Sequence, residues 1–176
     1  MPEAASKNFV DGREISGARL VSLLNRADEM KAGRPEVAGS SLTGKSIALI
    51  FEKPSTRTRI SFEVGIAELG GHGVILRSDE LQLSRGESIE DTARVMSRFV
   101  YGIVIRSGSD DHVSKLAEHA SVPVVNALTP LYHPCQALAD LLTLKERFGG
   151  LDGLKVAYVG DGNNVARSLA IAGSLT

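Results

Sequence analysis

Tryptophan is absent from these 176 residues, cysteine occurs once, and aromatic residues make up only 5% of the chain. Too few rings are present to build a stacking platform for single-stranded nucleic acid. The lone Cys135 permits no intrachain disulfide, so a reducing compartment is expected. Charge of one sign is lacking too. Twenty basic residues stand against 21 acidic ones, a formal net charge of -1, and they are dispersed, which argues against a nucleic-acid or membrane surface. No apolar run approaches the roughly 20 residues of a membrane helix, and residues 1–9 lack the basic-then-apolar pattern of a secretory leader. The expectation is a cytoplasmic protein. Any affinity for an anion must be local.

With 43% hydrophobic and 23% charged residues, the chain has apolar material for one full core and a remnant. Helical spacing runs through 15–32 (Leu20, Leu23, Leu24, Ala27), with Ser16 as N-cap and Gly33 beyond the end. Residues 45–51 form an almost continuous apolar run, the pattern of a parallel strand covered on both faces. A helix over 55–69 follows, with Ile60, Val64 and Ala67 on its apolar stripe and Gly70-Gly71 as stop. Further strands are predicted at 73–77, 101–106 and 122–126, and further helices at 88–99, 110–120 and 133–148. The polar stretch 78–87 reads as a loop. This alternation predicts a doubly wound α/β domain with a mostly parallel sheet over residues 1–150. A strand at 154–159, a glycine-rich turn and a helical start predict the opening of a second α/β unit over 151–176.

The richest segment is Ser55-Thr56-Arg57-Thr58-Arg59, directly after the first predicted strand. A helix start offers unpaired N–H groups and the positive end of the macrodipole. Hydroxyls in a first turn ordinarily act only as caps. Arginine there opposes the dipole, costing from a few tenths to about 1 kcal/mol, and an anionic ligand is the natural compensation. Phosphate suits the guanidinium fork. Arg106 closes the strand made of Ile103, Val104 and Ile105, and a solvated strand end is its bland alternative. His133-Pro134-Cys135-Gln136 sits at a helix start, with Pro134 where a missing N–H costs little. There His133 could donate to a carbonyl oxygen and Gln136 could pair with an amide, or the two could simply cap and be solvated. All three segments follow carboxyl ends of predicted strands and so can converge on one crevice.

Together Ser55 to Arg59, Arg106 and His133 to Gln136, with Leu69-Gly70-Gly71 and Gly86-Glu87-Ser88 between them, resemble the carbamoyl-phosphate signature of the aspartate and ornithine carbamoyltransferase family. Phe51-Glu52-Lys53 and Gly160-Asp161-Gly162-Asn163-Asn164 resemble its ornithine branch. The resemblance implies that Ser55, Thr56, Arg57 and Thr58 hold the phosphate. Arg106 and His133 would contact the carbonyl oxygen, Gln136 the amide, and Pro134 and Cys135 complete that motif. It places Gln82 in a loop reaching a neighbouring subunit's site, which implies a homo-oligomer, typically a trimer. It assigns Asn164 to the amino-acid end of ornithine.

The implied chemistry is attack by ornithine's neutral δ-amine on the carbamoyl carbon, with Arg57, Arg106 and His133 stabilising charge, giving citrulline and phosphate. No metal or organic cofactor is implied. The histidines His72, His112, His119 and His133 with Cys135 show no zinc-ligand spacing. The family's second domain would carry further ornithine contacts, so the chain reads as a donor half with a stub, able to bind carbamoyl phosphate weakly and with little turnover. The alternatives are an aspartate carbamoyltransferase-like enzyme, a non-catalytic carbamoyl-phosphate-binding module, and a nicotinamide dehydrogenase. The last is weak, because Val165 stands where the third glycine of the dinucleotide fingerprint belongs.

Overall fold

The computed structural model describes residues 6–34, 40–77 and 86–176. Four strands alternate with helices: α1 (Gly17–Ala32), β1 (Ser46–Phe51), α2 (Thr56–Glu68), β2 (His72–Arg77), α3 (Ile89–Met96), β3 (Gly102–Arg106), α4 (Asp110–His119), β4 (Val124–Leu128), α5 (Pro134–Phe148) and α6 (Asn164–Gly173). The sheet is parallel throughout, in the order β2-β1-β3-β4. From β1 the chain moves outward to β2, then crosses back to β3 on the other side. The reversal puts a crevice at the carboxyl ends of β1 and β3.

Burial on both sheet faces follows from the apolar run of β1. Ile47, Leu49 and Phe51 pack with Ile66 of α2 on one face, while Ala48 and Ile50 pack with Ala93 of α3 and Val113 and Leu116 of α4 on the other. A third cluster joins Leu20 and Leu24 of α1 to Ala137 and Leu141 of α5 and Ala172 of α6. Ser16, Ser55, Ser88, Ser109 and Asn163 cap five helices through their side-chain oxygens, each cap worth about 1 kcal/mol. Gly70, at φ +79°, and the N–H of Gly71 bonding back to the Ile66 carbonyl at 2.9 Å end α2.

Four expectations are corrected. The stripe of α2 that faces the sheet is Phe62 and Ile66, whereas Ile60 and Val64 are 55% and 40% exposed. Both sides of this helix carry apolar residues, and periodicity alone does not choose between them. Residues 154–159 form no strand. Among the described residues no neighbouring strand pairs with them, and unpaired backbone has no ladder to join; Val159 is 95% exposed. Helix α3 ends at Met96, short of residue 99. Strand β4 runs on to Leu128, with a register shift between Ile105 and Arg106.

Candidate functional site

The register brings the strand ends together, since Phe51 lies opposite both Arg77 and Arg106. Immediately beyond Phe51, Ser55 takes the N-cap of α2. Its Oγ donates to Thr58 Oγ1 at 2.9 Å and accepts the Thr58 N–H at 3.4 Å. The first turn of α2 contains no acidic residue, whereas α3 begins with Glu90 and Asp91 and α4 with Asp110 and Asp111. The positive end of α2 is therefore uncompensated by its own turn, and Arg57 adds to it.

Arg106 reaches this turn from β3, with Nη1 3.5 Å from Thr58 Oγ1. At this strand end the pairing with β4 skips Ala127, so Arg106 stands opposite Leu128. Burial pulls the Arg106 pKa below the ordinary guanidinium value, though arginine remains charged in proteins. From the third loop comes His133, at the N-cap of α5, whose side chain makes no capping bond. Burial lowers its pKa first, the Arg106 charge lowers it further, and Asp140 offsets part of the shift. A neutral imidazole is the result. Among the described residues neither Arg106 Nε nor His133 Nδ1, both buried, has a hydrogen-bond partner.

Ser55, Arg57, Thr58, Arg106, His133, Cys135 and Gln136 line a single cleft of about 470 Å³. Gln136 Nε2 donates to Asp140 Oδ1 at 2.9 Å, which leaves Oε1 as an acceptor for an N–H donor. The Cys135 thiol donates to the Asn126 carbonyl at 3.5 Å, and burial pushes its pKa up to about 12. It is a packing group, not a nucleophile.

Other expected residues lie elsewhere. Thr56 and Arg59 line an adjoining groove of about 680 Å³ with Ile60 and Ile75, and Arg59 pairs with Glu63 at 3.4 Å. Pro134 is buried and faces Gly12 and Leu20 on the far side of the loop. Asn164 is absent from the cleft lining; its Nδ2 donates to the Thr129 carbonyl at 2.8 Å. Gln82 lies outside the described residues. Among the described residues no group of three or more His, Cys, Asp or Glu side chains could hold a metal.

One contributor was overlooked in the sequence. Glu52 Oε2 accepts from Ser107 Oγ at 2.5 Å and from the Gly108 N–H at 3.1 Å, while Oε1 lies 2.9 Å from His112 Nδ1. The Glu52 N–H also donates to the Arg106 carbonyl at 3.0 Å. This carboxylate ties the loop bearing Ser55 to the loop bearing Arg106. In the sequence Glu52 stands out only as part of Phe51-Glu52-Lys53, with no role of its own assigned.

The fold and cleft define a class: a parallel α/β domain with a polar cleft at its topological switch point, assembled from three strand-end loops. Residues 7–146 match the family model described as aspartate/ornithine carbamoyltransferase, carbamoyl-P binding domain, and the chain belongs to that family. Among its relatives is an ornithine carbamoyltransferase of Acidothermus cellulolyticus, 55% identical over 96% of this chain and 54% of the relative. One of Thermococcus kodakarensis is 53% identical over 97% of this chain and 54% of its own length. The solved ornithine carbamoyltransferase of Thermus thermophilus superposes with a TM-score of 0.88 at 48% identity, over 95% of this chain and 59% of that one. The chain spans about half the length of the curated relatives it matches.

Proposed function

We propose that the cleft binds carbamoyl phosphate and that the chain supplies the donor half of an ornithine carbamoyltransferase. The observation that supports this most is the meeting of Arg106 with Thr58, at 3.5 Å, in one cleft with His133. A phosphate cradle and donors for a carbonyl oxygen then lie side by side.

In this reading Ser55, Thr58, Arg57 and the free N–H groups of the first turn of α2, Thr56 among them, hold the phosphoryl group. Arg106 and neutral His133 donate to the carbamoyl oxygen as it gains charge. Gln136 Oε1 accepts from the carbamoyl amide, and Pro134 and Cys135 shape the loop. The neutral δ-amine of ornithine attacks the carbonyl carbon, forming a C–N bond. The C–O bond to phosphate then breaks, and phosphate leaves with the electron pair and takes up the proton that the amine gives up. Arg57 and Arg106 lower the cost of the departing charge.

Asn164 is assigned to the amino-acid end of ornithine, and Gln82 to a site shared between subunits of a homotrimer. The division of labour falls near residue 150, with residues 1–150 serving the donor and 151–176 beginning the acceptor part. A cytoplasmic role in arginine metabolism completes the proposal. The resemblance of Phe51-Glu52-Lys53 and of residues 160–164 to the ornithine branch supports the choice of acceptor.

Calorimetric titration of the chain with carbamoyl phosphate tests the donor site. Arg106→Ala is expected to weaken binding by about 10- to 100-fold, the scale of a lost charge-assisted contact, without unfolding the protein. Unchanged affinity in that variant overturns the assignment. Citrulline formation, assayed with ornithine and aspartate as rival acceptors, tests the branch, and product from aspartate alone would contradict it.

A further inference from the structure

Helix α6 lies beyond residues 7–146, the part of the chain that matches the family model, yet it makes three separate contacts with the loop that carries His133. Ser168 Oγ accepts the main-chain N–H of His133 at 2.8 Å, and Ser168 is only 2% exposed. Asn164 Nδ2 donates to the Thr129 carbonyl at 2.8 Å. Two guanidinium groups lie over the Tyr132 ring, Arg167 of α6 at 5.6 Å and Arg13 at 6.0 Å from its centre. The helix itself is held by Leu169 and Ala172, which pack into the cluster shared by α1 and α5.

The hydrogen bond from His133 matters because of where it falls. His133 is the N-cap of α5, and its ring makes no capping bond that would fix it. Its carbonyl accepts the Gln136 and Ala137 N–H groups at 3.1 and 3.2 Å. Its N–H, on the other side, goes to Ser168. With both main-chain groups engaged, the backbone of His133 is held and the imidazole is left to stand in the cleft.

We propose that Ser168 is a positioning residue for the donor site: by holding the main-chain N–H of His133 it sets where the imidazole stands, so that α6 finishes a site built otherwise within residues 7–146. This rests on the carbamoyl phosphate reading of the cleft. The second unit's first helix then serves the donor as well as the acceptor. Loss of the hydroxyl leaves a buried N–H without a partner and frees the loop to shift.

The test uses the full 176-residue chain and three variants. Ser168→Ala removes the acceptor, and Ser168→Cys, close in size but a poor acceptor, carries the same expectation if the alanine variant does not fold. Leu169→Ala loosens α6 without touching the bond. Two quantities are read: the ratio of carbamoyl phosphate to inorganic phosphate affinity by calorimetry, and the titration midpoint of the His133 ring by NMR. The ring is faced by Arg106 from β3 and Asp140 from its own helix, so its midpoint reports its place between them.

Ser168→Ala or Ser168→Cys is expected to lose about tenfold in carbamoyl phosphate affinity, the effect of one buried hydrogen bond, with inorganic phosphate affected less. The His133 midpoint moves back toward the ordinary imidazole range. Leu169→Ala is expected to lower the melting temperature and leave both readouts in place. The proposal is overturned if the Ser168 variants keep the wild-type ratio and midpoint, or if Leu169→Ala changes them equally. A wild-type chain that binds no carbamoyl phosphate would defeat the functional reading alone, and the His133 midpoint would still decide the role of Ser168.

Discussion

His133 occupies a cap position without capping, and its chemistry follows from that. A histidine whose pKa is lowered in the fold is favoured in its neutral form, so its stabilising contribution is complete above the ordinary value of 6.5 and is lost as pH falls through the lower folded value. The unfolded chain binds the proton more readily. His133→Gln is therefore expected to remove part of the acid sensitivity: measured by thermal melts, the gap between variant and wild type narrows or reverses below about pH 6.5. A gap independent of pH would contradict a neutral buried imidazole. The candidates Ser55, Arg57, Thr58, Arg106, His133 and Gln136 were legible because each is a polar group at a strand or helix terminus. Glu52 was not. Its role depends on Ser107, Gly108 and His112, residues 55 to 60 positions away, and no local pattern reports such a contact.

At the scale of elements, termini were read better than faces. Ser16 and Gly70 act as anticipated because capping and left-handed backbone are local properties. Two glycines permit a comparison. Gly149 ends α5 at φ +81° with open space around it, while Gly70 at φ +79° would also bring a Cβ to 2.7 Å from Thr43 Oγ1. Gly149→Ala is expected to cost about 1–2 kcal/mol from backbone strain, and Gly70→Ala more, because overpacking is added. Urea denaturation measures both, and equal losses would mean that Thr43 yields freely. Which face of α2 meets the sheet was not legible, because Ile60 and Val64 compete with Phe62 and Ile66 in any periodic pattern. The strand expected at 154–159 failed for a related reason, since a strand is made by its neighbour as much as by its own residues.

Across the whole molecule, the cleft depends on holding three loops in register, and Glu52 is the brace between two of them. Glu52→Ala is expected to lower unfolding stability by about 1.5–3 kcal/mol, the range for hydrogen bonds to a charged group, and to weaken carbamoyl phosphate binding at the same time. Unfolding curves and calorimetry on one preparation check this; full stability with full affinity would mean that the loops hold themselves. Alternation of strands with helices determined the α/β class and the parallel sheet, because each parallel strand needs a crossover. The same alternation determined that polar groups gather at the carboxyl ends of the strands. Only the tertiary structure decided the order β2-β1-β3-β4, which sets Arg106 beside the cradle. It alone also placed Ser168 against His133 across 35 residues of sequence. Capping and periodicity are written in neighbouring residues, whereas strand order and helix docking arise from packing between parts of the chain that carry no local mark of one another.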